Sequence, residues 1–170
     1  GESYWNDCSI SFFSTNSNPE ILELNYDSLY EGSSALFNLT AIDNDGDVLT
    51  YNWNMGDGTP SFDSSNEIFY NYMDSGDYNI TVIVSDGTVS VSHNHLVVVE
   101  NIAPELSISY DSFGQEGQSY FFNAQTMDVP EDTVTVTWTF PDGTQIGGNF
   151  VEYLFIDDGE FLISVVAEDE

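Results

Sequence analysis

The chain is 170 residues long, carries 30 Asp and Glu but no Lys or Arg, and has a formal net charge of −30. Nucleic acid and anionic lipid both need cationic side chains to displace phosphate counterions, so composition makes them poor partners. With 41% apolar residues, among them 12 Phe, 10 Tyr and 3 Trp, the chain can nevertheless build cores, which a disordered acidic tail cannot. No apolar run reaches the roughly 18 residues that would mark a membrane insertion.

An offset of 85 carries Asp43 onto Asp128, Trp53 onto Trp138 and Asp57-Gly58-Thr59 onto Asp142-Gly143-Thr144. After that turn an offset of 83 carries Tyr72, Gly76, Tyr78 and Asp86 onto Phe155, Gly159, Phe161 and Asp169. A fixed period of this kind means two copies of one module, the second shorter by two loop residues. The expected division is an extension over 1–18, copy one over 19–100 and copy two over 101–170, each copy large enough for a small sandwich. The chain opens at Gly1 rather than Met, which points to a processed form or a piece of a longer protein.

In chain order, Cys8, Ile10 and Phe12 of the extension alternate as a strand does. Cys8 is the single cysteine, so an intrachain disulfide is excluded. Copy one then shows period-two rows at Ala35, Phe37, Leu39 and Ala41, at Leu49, Tyr51, Trp53 and Met55, and at Tyr78, Ile80, Val82 and Val84, followed by a Val-rich strand over 89–99. Copy two repeats these rows at Tyr120, Phe122 and Ala124, at Val134, Val136, Trp138 and Phe140, and at Phe161, Ile163 and Val165. Short strands at this spacing, with a Trp in the middle row, predict an all-β chain of two tandem Ig-like antiparallel β-sandwiches with both Trp residues in the core. Glu170 corresponds to position 87, so copy two stops before the counterpart of the 89–99 strand.

The run Asp43-Asn-Asp45-Gly-Asp47, then Tyr51-Asn-Trp53-Asn-Met55-Gly-Asp57-Gly58-Thr59, then Tyr72 and Gly76-Asp-Tyr78-Asn-Ile-Thr-Val82, resembles a PKD (polycystic kidney disease) domain. The likeness covers about residues 19–100 well and 104–170 less well, because Pro141 stands where the family has Gly. The resemblance implies an extracellular β-sandwich without catalytic activity, of the kind found in archaeal surface layers, cell-surface proteins and spacers of secreted hydrolases. It also implies calcium as a cofactor, since some PKD domains bind it.

Asp43, Asp45 and Asp47 alternate in a Gly-containing loop and bring together hard oxygen ligands of the sort Ca²⁺ takes, with Asp57 of the next turn as a further candidate. The loop is not an EF-hand, since Gly46 falls at its fourth position and Asn54 at its twelfth. The competing role for these side chains is to cap turn N–H groups. In copy two Asp128 and Asp132 remain but Pro130 replaces the middle ligand, so a weaker or absent site is expected there. His93 and His95 share a strand face, but two imidazoles lack the further ligand a zinc site needs, and they are read as solvent-facing. Asn38-Leu39-Thr40 and Asn79-Ile80-Thr81 are glycosylation sequons whose Asn residues alternate outward. At the copy-two counterpart, Leu162 and Val166 fall on an outer face instead, as contact residues would.

Neither a Ser–His–Asp nor a Cys–His arrangement is suggested, and no carboxylate pair is singled out, so no enzyme is expected. The residues together favour a structural or adhesive module of the cell exterior, in a filament or surface layer that self-associates head to tail. The extension residues Cys8, Ile10 and Phe12 would donate a strand to copy two beside Leu162 and Val166. The alternatives are a spacer or carbohydrate-binding module of a secreted hydrolase, with a glycan as partner, and a passive stalk.

Overall fold

The structure, a computed structural model, describes residues 1, 9–10 and 15–169. Every regular element among them is a strand. Copy one contains β1 (Glu20–Tyr26), β2 (Ser34–Ile42), β3 (Thr50–Asn54), β4 (Phe62–Ser64), β5 (Glu67–Asn71), β6 (Gly76–Ser85) and β7 (Ser90–Val99). Copy two contains β8 (Glu105–Tyr110), β9 (Gln118–Met127), β10 (Thr135–Thr139), β11 (Gln145–Gly147), β12 (Phe150–Phe155) and β13 (Ser164–Glu168). The sheet orders are β1-β2-β5 and β4-β3-β6-β7 in the first copy, and β12-β9-β8 and β11-β10-β13 in the second. The register repeats with the sequence, because Asn54 pairs with Thr81 at the end of the β3–β6 ladder and Thr139 with Ser164 at the end of the β10–β13 ladder. Where copy one carries β7 beside β6, β13 is the edge strand among the described residues.

The chain divides into two compact units. The first is 1–26, 37–68 and 79–95, and the second is 27–36, 69–78 and 96–170. The first unit buries Phe37, Leu39, Trp53, Met55, Ile80, Val82 and Val84, all members of the period-two rows. Trp53 keeps its one polar atom satisfied by donating from Nε1 to the Ser65 carbonyl at 3.0 Å. The second unit buries Phe122, Ala124, Val136, Trp138, Phe140 and Val151 as one cluster, and Trp138 repeats the device on the Gly148 carbonyl at 3.0 Å. An inward strand residue removes its side chain from water at about 25 cal/mol per Å², which is why alternation and burial coincide.

Two expectations are corrected. Phe161 was expected inside a strand row, but β13 begins only at Ser164 and Phe161 is 42% exposed. His93 and His95 are half-buried rather than solvent-facing, on the same strand face as buried Val97 and Val99. Their rings stack 6.0 Å apart, and His95 Nε2 lies 3.2 Å from the Tyr26 hydroxyl.

Candidate functional site

Asp43, Asp45 and Asp47 come together after β2, with one ligand oxygen from each lying within 4.8 Å of the others. Gly46 makes this possible by adopting φ 81°, a left-handed value open to glycine at little steric cost. Asp43 folds the loop on itself, as its Oδ1 accepts from the Asp45 N–H at 2.8 Å and the Asp47 N–H at 3.3 Å. Its Oδ2 is buried and has no hydrogen-bond partner. Asp45 accepts from the Ser17 N–H, and close by in sequence Asn16 donates to Asp86 at 2.9 Å. Asp57 stands outside this group. It caps its own turn by accepting from the Thr59 N–H and hydroxyl at 3.0 and 2.7 Å.

A second acidic cluster lies wholly in the second compact unit, where Glu31, Asp128 and Asp132 bring their carboxylate oxygens within 4.8 Å of one another. Glu31 has 0% exposure and is the one buried charged residue among those described. Its backbone is held by the Glu100 carbonyl, which accepts from the Glu31 N–H at 3.1 Å, and its Oε1 accepts from the Ile102 N–H at 2.7 Å. Asp128 Oδ1 accepts from the Val129 N–H at 2.9 Å. Glu31 Oε2 and Asp128 Oδ2 are both buried without a partner. Burial, followed by the charges of Glu31 and Asp128, pushes the Asp132 carboxyl above the usual aspartate range. Nearby, Asn101 donates to Asp169 at 3.0 Å, the counterpart of the Asn16–Asp86 pair, and Asp169 Oδ2 is again buried and unpartnered.

With these sandwiches and Asp loops in view, family models describe residues 16–99 as a PKD domain and residues 105–170 as another. The chain belongs to the PKD family. It is 25% identical over 143 residues to the pre-pro-metalloprotease PrtV of Vibrio cholerae serotype O1, in a match covering 82% of this chain but 15% of that protein. Among solved structures it is similar to the PKD1 domain of Vibrio anguillarum Epp, at 23% identity and a TM-score of 0.43, covering 52% of this chain and all of that one. It is also similar to a carbohydrate-binding module of the β-sandwich superfamily, at 16% identity and a TM-score of 0.47, covering 89% of this chain and 85% of that one.

The remaining expected positions are not members of the acidic clusters. Asn79 is exposed, whereas Asn38 is half-buried and its amide donates to Glu67. Leu162 and Val166 are 85% and 50% exposed. Ile10 is exposed, and Cys8 and Phe12 lie outside the described residues. Sequence reasoning missed Glu31. One signal could have raised it, an acid flanked by Tyr30 and Gly32 that neither continues the β2 alternation nor has an obvious partner in a chain without cationic side chains.

Proposed function

We propose that this tandem PKD chain is a non-catalytic accessory module of an extracellular protein, a spacer of the kind a secreted hydrolase carries. The observation that carries this reading is the match to PrtV, which runs across both copies and occupies a small part of a protein named as a pre-pro-metalloprotease. The use of both inward rows to fill cores supports it, because a spacer needs folded stability and little else. Peptide, ester and glycoside reporters should turn over at the buffer rate in the presence of the chain, and antibodies against it should label culture fluid or intact cells of the producing organism. Turnover that follows the protein through gel filtration, or a purely intracellular signal, refutes the reading.

A second reading, a surface filament or surface layer of the archaeal type built by strand donation, is favoured by the exposed apolar Leu162 and Val166 and by the edge position of β13. It predicts head-to-tail polymers that are lost when residues 1–15 are deleted. A monomeric intact chain by light scattering refutes it. In either setting the Asp43, Asp45 and Asp47 loop is proposed to take Ca²⁺, supported by the convergence of hard oxygens and the unpartnered Asp43 Oδ2. Calcium at a hundredfold excess over Kd adds about 2.7 kcal/mol of stability. Asp45→Ala should abolish that gain, and magnesium or NaCl controls for screening of the net charge. Asn79, which is exposed, is the proposed glycan site, with Asn38 as the second sequon. Intact mass above 18.9 kDa in native material tests this, and unmodified peptides at both positions refute it.

A further inference from the structure

Glu31 is completely enclosed, in a chain with almost no cationic groups to neutralise it. There is no Lys or Arg anywhere, and the two histidines lie on β7, stacked on each other with His95 against Tyr26. One Glu31 oxygen is used by the Ile102 N–H at 2.7 Å, and the other has no partner. Asp128 has the same division, with one oxygen on the Val129 N–H at 2.9 Å and one buried and unpartnered. Asp132 completes a triad whose ligand oxygens lie within 4.8 Å of one another. Three carboxylates held this close repel, and a buried carboxylate without a counter-charge is strongly disfavoured, so the arrangement calls for a positive species at its centre.

We propose that Glu31, Asp128 and Asp132 form a second binding site for a divalent cation of the calcium class, in which Glu31 supplies from outside the loop the ligand that Pro130 removes from it. The donor set is all hard oxygen, which selects calcium-type over zinc- or copper-type ions. Three protein carboxylates, any of which can bind bidentately, leave room for carbonyls and water in a six- to eight-fold shell of flexible geometry, which suits Ca²⁺ better than the strict octahedron of Mg²⁺. The cation would also fix the backbone, because the Glu31 side chain that binds it holds the Ile102 N–H with its other oxygen. Residue 32 supports the close fit: Gly32, at φ 65°, lies so near Val129 that a Cβ would sit 2.6 Å from Val129 Cγ1. The proposal does not rest on the calcium reading of the Asp43 loop.

The test is calorimetric titration of CaCl₂ into the chelator-treated, full 170-residue chain in about 0.15 M NaCl, which screens the net charge, with thermal melts alongside. Glu31→Gln keeps the shape and an acceptor for Ile102 but removes the charge. It should lose one calcium site that Asp45→Ala retains. The melts should cross: without calcium the Glu31→Gln chain melts above wild type, since a buried unpaired charge is gone, and with calcium wild type melts above it. Should Glu31→Gln not fold, Asp132→Asn, at a half-buried position, is read by the same two measurements. Full calcium stoichiometry in the variant that folds, with all loss confined to Asp45→Ala, overturns the proposal. A wild-type midpoint that exceeds the variant's in chelator and does not respond to calcium also overturns it, because the triad would then be neutralised by a shared proton.

Discussion

Replacing Gly56 by Ala should damage the first unit far more than the same change two residues later. Both glycines sit in the turn after β3 with left-handed backbones, φ 84° at Gly56 and 87° at Gly58. An L side chain in that region costs about 1–2 kcal/mol, partly offset by about 0.4–1 kcal/mol from the lower entropy of the unfolded Ala chain. Gly58→Ala meets nothing within 4 Å, so it should cost about 1 kcal/mol net. A Cβ on Gly56 would instead lie 2.6, 2.8 and 2.9 Å from the O, N and C of Asn79. These are backbone atoms of β6, fixed by the ladder from Asn54–Thr81 to Thr50–Ser85 with β3. The overlap can be relieved only by moving a central strand, an overpacking cost of about 1–3 kcal/mol beyond the φ strain. For a unit of this size each kcal/mol lowers the melting midpoint by about 4–8 °C, so Gly58→Ala should fall by about that much and Gly56→Ala by two to four times as much.

Differential scanning calorimetry of wild type and the two variants is sufficient, since all three share composition apart from one methyl group. The reciprocal change in copy two is informative. Pro141 occupies the position of Gly56, and β13 begins only at Ser164, whereas β6 is already a strand from Gly76, so Pro141→Gly should cost only the entropy term of about 0.4–1 kcal/mol. Equal losses for Gly56→Ala and Gly58→Ala would refute the reasoning, because close approach to Asn79 would then count for nothing.

Trp138→Ala removes the centre of the second core and the hydrogen bond to Gly148, and should cost about 3–5 kcal/mol, visible as loss of near-UV dichroism in that unit; a change below about 1 kcal/mol would contradict the assigned packing. The Val89 N–H, the Asn16 amide and the Thr88 N–H hold the Asp86 carboxyl below its ordinary range, and the Thr144 N–H and hydroxyl do the same for Asp142. Both groups therefore add stability that is present above the unfolded aspartate value of about 3.9 and is lost as pH falls through the lower folded values. Self-repulsion of the −30 charge works the other way, so urea midpoints should rise from pH 7 toward mildly acidic pH and fall below about 4, with Asp142→Asn flattening the acid limb. Trypsin should leave even the urea-unfolded chain intact, since there is no Lys or Arg to cut after; any specific tryptic fragment would mean the chain carries other residues.

Much of the fold was legible because period two leaves little freedom. Once Phe37 and Leu39, or Val136, Trp138 and Phe140, point inward, the strand faces follow, and the repeat at 85 and 83 assigns the same faces twice. The departures arise where a side chain's fate depends on a neighbour that alternation does not name. Phe161 matches Tyr78 in sequence, yet copy two begins its strand three residues later, so the match does not carry the aromatic inward. His95 packs against Tyr26, a residue of β1 far away in the chain, and His93 stacks on His95. Asp57 caps its own turn as Asx residues do, with Thr59 two residues on donating both its N–H and its hydroxyl to Oδ1.

Glu31 shows the limit most sharply. Beyond its place between Tyr30 and Gly32, little in its own segment separates it from the exposed acids, because its burial is decided by Glu100, Ile102, Val129, Asp128 and Asp132, five residues at least 69 positions away. Composition, however, did contain the constraint that makes it informative. In a chain with lysines, a buried glutamate would ordinarily be explained by a salt bridge; here that explanation is unavailable throughout the sequence, so each buried carboxylate must be neutralised by backbone donors, protons or metal. Backbone donors account for one oxygen of Glu31 and one of Asp128, which leaves the other two to a proton or a metal. A property counted over the whole chain thus decides how a single side chain is to be interpreted once the fold has put it in place.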